Sequence, residues 1–231
     1  MKKIVFFLSM VFALSALFSS CTVYHSQAVD IPLIRHQNDL QIEGAISSTY
    51  IGAPAINTTA TYSFNKWGAV QGHINWNGYM DFYLQTAFGS YLPIKQHYVI
   101  EGYVGYGLWI SPEEYGIYHN PFLQFNTGWV GLAKEHIDVG FGLKTSCLIN
   151  FFSTTTNNIF FKDPTSPFEI QTTFREFSPL IEPQVFIRIG NKKLKGSLRI
   201  GCCAVLLGTA AIDYVPVNVS IGISYKFEFK R

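Results

Sequence analysis

Three residues with acid–base or metal-binding side chains, His73, His97 and Glu101, share one polar face of neighbouring predicted strand hairpins. Imidazole and carboxylate groups on one face could hold a metal ion or relay protons. However, two histidines without a clear third ligand make a poor zinc site, and lone histidines on such a face are more often hydrogen-bonded interior residues. We therefore expect no metal site among them.

Three aromatic residues, Tyr83, Tyr103 and Trp109, point to the same polar face by parity. Such side chains can stack on a sugar or an apolar ligand, but filling space is their simpler role. The chain contains none of the motifs G-x-S-x-G, H-E-x-x-H, G-x-x-x-x-G-K-[ST] and G-x-G-x-x-G. We therefore expect no enzyme, no catalytic residue and no cofactor.

In the segments that carry these residues, apolar and polar side chains alternate with a period of two, as in β-strands. From Val217 to Phe229, apolar and polar residues alternate, which predicts a strand with two chemically different faces. About ten such strands succeed one another, and no long amphipathic helix follows the amino-terminal apolar run. The predicted strands are 39–49, 55–64, 67–76, 79–91, 96–110, 121–132, 136–150, 179–189, 193–206 and 214–229.

The connections between these strands alternate between short and mostly longer links. Transmembrane barrels keep short turns on the periplasmic side and longer loops outside. Asn77-Gly78 is an exception, because a two-residue turn falls on the predicted outer side. The predicted outer loops are 50–54, 111–120, 151–178 and 207–213, and the predicted turns lie near 65–66, 93–95, 133–135 and 190–192.

The amino terminus has the features of an export signal: Lys2 and Lys3, then an apolar run that is too short to span a membrane as a helix. Leu17-Phe18-Ser19-Ser20-Cys21 resembles the lipobox of bacterial lipoproteins, in which the cysteine is acylated, for example with palmitate. Phe18 departs from that pattern, and ordinary secretory cleavage is the alternative. The resemblance implies lipidation at Cys21.

Other cysteines and the net charge exclude two classes of protein. Cys147, Cys202 and Cys203 lack the paired spacing of a disulfide framework or a zinc site. The formal net charge is only +2, and the basic residues form no long run. We therefore expect no nucleic-acid partner.

The two faces of the strands indicate which side meets lipid. A chain with 48% hydrophobic and 14% charged residues favours a membrane location. Bulky apolar residues recur on one face, and Trp67, Trp76, Tyr79 and Trp109 fall near strand ends, where interfacial aromatic residues collect. The alternative is a soluble barrel with an apolar interior.

Charged residues on the opposite face are nearly balanced, which suits pairing inside a lumen, since an unpaired buried charge is costly. Residues predicted at the outer rim, including Tyr115, Tyr118, His119, Asp163 and Asp213, form no convincing catalytic pair. We predict a polar network in the lumen that consists of Glu43, Asp81, Glu101, Asp138, Lys144, Glu182, Arg188, Lys195, Arg199, Lys226 and Glu228.

Residues 39–231 resemble small bacterial outer-membrane barrels, and the run ending at Phe229 is similar to their aromatic-terminated last strand, although Lys230 and Arg231 follow it. The resemblance implies an all-β, antiparallel, up-and-down transmembrane β-barrel of about ten strands, with eight as the alternative. The expected organisation is a signal peptide (1–20), a lipid-anchored tether on the periplasmic side (21–38) and the barrel (39–231).

Two functional hypotheses follow. The first is a non-enzymatic outer-membrane lipoprotein, plugged by side chains, with a structural or accessory role in a cell-envelope assembly. The alternative is a narrow channel or carrier for a small amphiphilic solute, with 151–178 as a lid. Expected partners are outer-membrane lipid and other outer-membrane or periplasmic proteins.

Overall fold

The computed structural model describes residues 23–24, 30–47, 55–77, 82–111, 116–156, 170–206, 213–214 and 217–229. Nearly all of its regular structure is extended, as the period of two predicts. The elements are β1 (Val23–Tyr24), β2 (Asp39–Ser47), β3 (Ala55–Ser63), β4 (Gly68–Asn77), β5 (Phe82–Pro93), β6 (Tyr98–Ser111), β7 (Gly116–Gly131), α1 (Leu132–Glu135), β8 (Ile137–Thr156), β9 (Ile170–Gly190), β10 (Leu194–Cys202), β11 (Ala204–Val205), β12 (Asp213–Tyr214) and β13 (Val217–Glu228).

Antiparallel pairing between sequence neighbours closes the sheet into a ring. β2 to β10 pair in chain order, β13 pairs with β10, and β13 also pairs with β2. β11 continues β10 beyond Cys203 and keeps pairing with β9. The predicted ten-stranded antiparallel barrel is therefore confirmed.

The two ends of the barrel differ. One end, here called the turn end, carries the short connections 64–67, 94–97, 132–136 and 191–193, together with the start of β2 and the end of β13. The opposite end, here called the loop end, carries the connections 48–54, 78–81, 112–115, 157–169 and 206–216. The longest connections, 48–54, 157–169 and 206–216, lie at the loop end, as the sequence predicted, but 78–81 and 112–115 are as short as the connections at the turn end.

Strands around the third and fourth outer connections are longer than predicted. β8 reaches Thr156 and β9 starts at Ile170, with a continuous ladder from Ile137↔Ile189 to Thr156↔Ile170. The predicted loop 151–178 is thereby reduced to 157–169. Threonine and phenylalanine are enriched in this stretch, and both favour strands, so the ladder continues where the alternation of faces ends.

Apolar side chains cover the outside of the barrel. Large hydrophobic residues face outward on every strand of the ring, for example Phe88 (65% exposed), Leu123 (61%) and Ile221 (68%). The inward positions between them are buried; most carry polar side chains, and aromatic and aliphatic side chains such as Tyr83, Trp109 and Phe186 fill the space between these. This is the arrangement of a barrel whose outer surface meets hydrocarbon. Among the described residues, no helix has the length and apolar character needed to cross a membrane.

The interior holds a piece of chain as well as side chains. Residues 30–38, here called the plug segment, run from inside the ring to its turn-end rim: Asp30, Ile31, Leu33 and Ile34 are at most 3% exposed, whereas His36 is exposed. Asn38 then joins the first barrel strand at the turn end, where its backbone N–H donates to the carbonyl of Ser63 (2.8 Å). The structure thus places the carboxyl-terminal part of the expected tether in the lumen, and not outside the barrel.

Candidate functional site

Two arginines and two carboxylates meet where the plug segment crosses the lumen. Arg188 on β9 and Arg199 on β10 lie on adjacent strands, and Glu43 lies on β2. Glu43 accepts from Arg188 Nε and Nη2 at 3.2 and 2.9 Å and is also ion-paired with Arg199. Asp30 of the plug segment lies 3.1 Å from Arg199 Nη2 and 3.6 Å from Arg188 Nη2. These four residues form a buried, charge-balanced group, here called the ionic centre.

Barrel side chains also bind the backbone of the plug segment. Gln124 and Gln71 donate to the carbonyl of Asp30 at 2.7 and 3.2 Å. Arg188 donates to the carbonyl of Ile31 at 2.7 Å, which links the ionic centre to the same segment. A buried backbone group without a partner would cost about as much as a lost hydrogen bond, so these contacts make the lumen compatible with a stretch of irregular chain.

Glu101 binds the plug segment closer to the turn end. Its Oε1 accepts from the backbone N–H of Ile34 at 2.6 Å, and its Oε2 accepts from the side-chain amide of Asn126 at 3.0 Å. Pro32 precedes this contact and has no N–H to satisfy, which suits an enclosed segment. Glu101 therefore positions the plug segment.

The plug segment also makes apolar contacts with the barrel wall. Ile34 packs in a buried cluster with Ala69, Ala87, Tyr91, Tyr103 and Phe122. Ile31 and Leu33 form a second cluster with Val99 and Phe186. Full burial of such aliphatic side chains contributes about 1.5–3 kcal/mol each. Burial of these side chains therefore stabilises the plug segment inside the lumen.

On one side of the loop-end half of the lumen, side chains of β5 to β9 pack together. Lys144 lies 3.0 Å from Gln85 Oε1, 3.3 Å from the Tyr83 hydroxyl and 3.6 Å from Glu182. Trp109 stacks on Tyr118, with ring centroids 4.6 Å apart. The predicted inward orientation of Tyr83 and Trp109 agrees with their 1% and 4% exposure.

At the turn end, ion pairs surround the exit of the plug segment. Arg35 lies 3.3 Å from Glu135, Lys195 lies 2.5 Å from Asp138, and Lys226 lies 2.7 Å from Asp39. A cavity of about 160 Å³ opens among these groups. This cavity is lined by charged groups and is large enough to hold water molecules.

The predicted polar network is divided among these groups. Most of its members point inward and are less than 8% exposed, whereas Lys226 is half-buried and Glu228 is exposed at the turn-end rim. Asp81 lies outside the described residues, as do Tyr79, Tyr115 and Asp163. The buried members are Glu43, Glu101, Asp138, Lys144, Glu182, Arg188, Lys195 and Arg199.

The structure does not bring His73, His97 and Glu101 together. His73 bonds Thr59 at 2.8 Å inside the lumen, whereas His97 contacts the carbonyl of Val130 at 2.9 Å near the turn end. Glu101 is occupied by the plug segment. Within the described part of the chain, no group of three or more His, Cys, Asp or Glu residues is arranged to hold a metal ion.

Sequence reasoning missed Asp30, because its segment shows no periodicity. It also missed the neutral partners Gln71, Gln124 and Asn126, which parity places on the polar face but which carry no charge. One signal was present: the uncharged run Ile31-Pro32-Leu33-Ile34 is unusually apolar for an exposed tether. A buried contact for that run would have been a sound expectation.

The exposed ion pair Lys192–Glu228 at the turn end should contribute little to the free energy of unfolding. Lys192 and Glu228 lie 3.1 Å apart, with side chains that are 59% and 33% exposed. Exposed pairs typically contribute about 0–1 kcal/mol, because water and salt screen them. Glu228→Gln should therefore lower the free energy of unfolding by less than about 1 kcal/mol. Denaturant titration of the barrel in detergent measures this, and a loss above about 2 kcal/mol would contradict it.

No protein-family model matches the chain, and no curated protein matches it either. Solved barrels do resemble it. A de novo designed transmembrane β-barrel has a TM-score of 0.37 at 11% identity, covering 84% of this chain and 98% of that one. The KdgM porin has a TM-score of 0.40 at 11% identity, covering 81% of this chain and 99% of that one. Omp33 of Acinetobacter baumannii has a TM-score of 0.34 at 8% identity, covering 83% of this chain and 98% of that one. At these values the similarity identifies no family, substrate or partner for this chain.

Proposed function

We propose that this protein is a bacterial outer-membrane barrel whose narrow polar lumen is a solute pathway, closed in the described state by its own plug segment. One observation carries the proposal: part of what fills the lumen at the turn-end half is a separate stretch of chain, residues 30–38, and not only side chains of the wall. A segment that is not part of the wall can change its contacts while the ring of strands stays closed.

The wall that faces the plug segment supports this proposal. Thr61, Gln71, Gln124, Arg188 and Arg199 present hydrogen-bond donors to Asp30 and its neighbours. If the segment moved off these groups within the lumen, they would face water and be solvated. Eight strands enclose a space that side chains fill, whereas 16–18 strands leave a wide aqueous channel. Ten strands therefore suit a narrow pathway for ions or small solutes.

A structural or accessory role is the second candidate. The ionic centre favours it, because Asp30 is paired with two arginines and three aliphatic side chains of the segment are buried. Such contacts would hold the lumen permanently closed. In that case the barrel would be a rigid, non-enzymatic scaffold for lipid and for other outer-membrane or periplasmic proteins.

Planar-bilayer conductance separates the two candidates. In the test variant, Asp30-Ile31-Pro32-Leu33-Ile34-Arg35 is replaced by Gly-Ser-Gly-Ser-Gly-Ser, which keeps the length of the chain but removes its contacts. We expect the native protein to remain closed and the variant to show small, discrete channel openings, because its lumen can fill with water.

The matched control is Trp67→Ser, a change at a residue that is 71% exposed at the turn end and does not reach the lumen. It should remain as closed as the native protein. Heat-modifiable mobility in gels verifies that each barrel is folded. A folded replacement variant that never conducts would refute the channel and leave the structural role. A native protein that conducts continuously would refute closure by the plug segment.

We also propose that Cys21 carries the lipid anchor implied by the lipobox; it lies outside the described residues. Metabolic labelling with a clickable palmitate analogue tests this. The native chain should incorporate the label, whereas Cys21→Ser should lose all of it. Equal labelling of both would contradict lipidation at this position.

A further inference from the structure

The first described residues lie at the loop end. β1 (Val23–Tyr24) pairs in parallel with β12 (Asp213–Tyr214), in the register Val23↔Asp213 and Tyr24↔Tyr214. β12 belongs to the connection between β11 and β13, which is a loop-end connection. Val23 and Tyr24 therefore sit opposite the end at which β2 begins.

The plug segment runs from the lumen towards the turn end, which is the direction expected for a chain that comes from β1 at the loop end. Asp30 contacts Thr61 and Gln124 in the lumen, Ile34 contacts Glu101 further towards the turn end, and Arg35 pairs with Glu135 in a turn-end connection. Asn38 then joins β2 at that rim. From residue 30 to residue 38, the chain descends to the turn end.

The distance between these two parts of the chain fits a passage through the lumen. Five residues lie between Tyr24 and Asp30, which are therefore six residue steps apart, and an extended chain covers about 3.3–3.6 Å for each step, or at most roughly 20 Å. Because the wall of strands is closed, a connection this short can reach Asp30 from the loop end only through the loop-end opening.

The side chains that line the two sides of the loop-end half differ in size. In the loop-end half, bulky inward residues such as Trp109, Tyr118 and Leu148 belong to β6, β7 and β8. The facing wall, formed by β13, β2 and β3, is lined by short buried side chains at the same level. These are Ala45, Ser47, Ala55, Asn57, Asn218 and Ser220.

We propose that the chain enters the barrel at the loop end, passes through the whole lumen and leaves at the turn end to form β2. The residues before Val23 are then presented at the loop face. Because transmembrane barrels place their short turns in the periplasm, that face is the cell surface. An acyl group on Cys21, two residues before Val23, inserts into the outer leaflet, and not into the periplasmic leaflet that the sequence suggested. The path does not require the lumen to conduct.

Disulfide trapping tests the position of β1. In a background with Cys147→Ser, Cys202→Ser and Cys203→Ser, the pair Val23→Cys and Asp213→Cys should form a disulfide in isolated outer membranes, visible as a mobility shift that reductant reverses. Directly paired strand residues fall within the Cα separation of about 4.4–6.8 Å that a disulfide needs. The control pair, Val23→Cys with Lys193→Cys at the turn end, should stay reduced.

Labelling of intact cells then tests the side of the membrane. A membrane-impermeant maleimide should label Val23→Cys above the background, as it labels Leu206→Cys, an exposed loop-end control. Lys193→Cys should react only after permeabilisation. A disulfide in the Val23–Lys193 pair, or labelling of Val23→Cys that follows Lys193→Cys, would overturn the threaded path. Neither result determines whether the variant with the replaced plug segment conducts, so the two proposals can fail separately.

Discussion

Replacing Arg188 with alanine is expected to lower the free energy of unfolding by about 3–5 kcal/mol. Arg188 is 1% exposed and binds Glu43 at 2.9 Å, Asp30 at 3.6 Å and the carbonyl of Ile31 at 2.7 Å. Its loss would leave two buried carboxylates with Arg199 as their arginine partner. Breaking a buried pair from one side is costly, because the remaining charge stays desolvated.

Urea or guanidinium titration in detergent or lipid vesicles, followed by tryptophan fluorescence, measures this loss. Lys192→Ala is the matched control, because it removes a cation whose side chain is 59% exposed. It should cost less than about 1 kcal/mol. A similar loss of unfolding free energy in the two variants would show that Arg188 is hydrated. The plug segment would then not occupy the lumen as described.

Replacing Ile221 with arginine is expected to cost about 2–4 kcal/mol, because it would place a charge on the lipid face near the middle of a strand. Ile221 is 68% exposed and lies in the central part of β13, between Leu198 of β10 and Ile46 of β2. In a soluble barrel the same substitution would be nearly neutral, since exposed positions tolerate charge. The size of the effect therefore distinguishes hydrocarbon from water outside the barrel.

Trp67→Arg serves as the control for depth. Trp67 is also exposed, at 71%, but it lies in a turn-end connection where a charge reaches the aqueous interface. Its cost should be about 0–1 kcal/mol. Unfolding free energies of both variants, measured in lipid vesicles, give the comparison. A neutral Ile221→Arg would contradict a membrane-facing surface.

The strands and their two faces could be predicted from the sequence, because alternation is a local property. The run from Val217 to Phe229 predicted the last strand, and β13 spans Val217–Glu228. The balance of charges on one face indicated pairing. The partners could not be predicted, because they depend on the closed ring: Glu43 and Arg188 are 145 positions apart in the chain.

The plug segment escaped prediction for a different reason. Residues 30–38 form neither a strand nor a helix, so their burial leaves no period in the sequence. Asp30 then looks like an ordinary charged residue in a polar linker. Only the three-dimensional structure shows that Gln71, Gln124 and two arginines converge on it.

A single disulfide tests most directly whether the chain occupies its own lumen. A Cβ built on Gly142 of β8 would lie 2.8 Å from Cγ1 of Ile31, whose position the Sγ of a cysteine at residue 31 can take, so the pair Ile31→Cys and Gly142→Cys is within bonding reach. In the serine background for the three other cysteines, we predict that this pair oxidises in the folded barrel. Ile31→Cys with Phe141→Cys, an outward neighbour, should stay reduced. Free, maleimide-reactive thiols at both positions 31 and 142 of the folded protein would contradict the account.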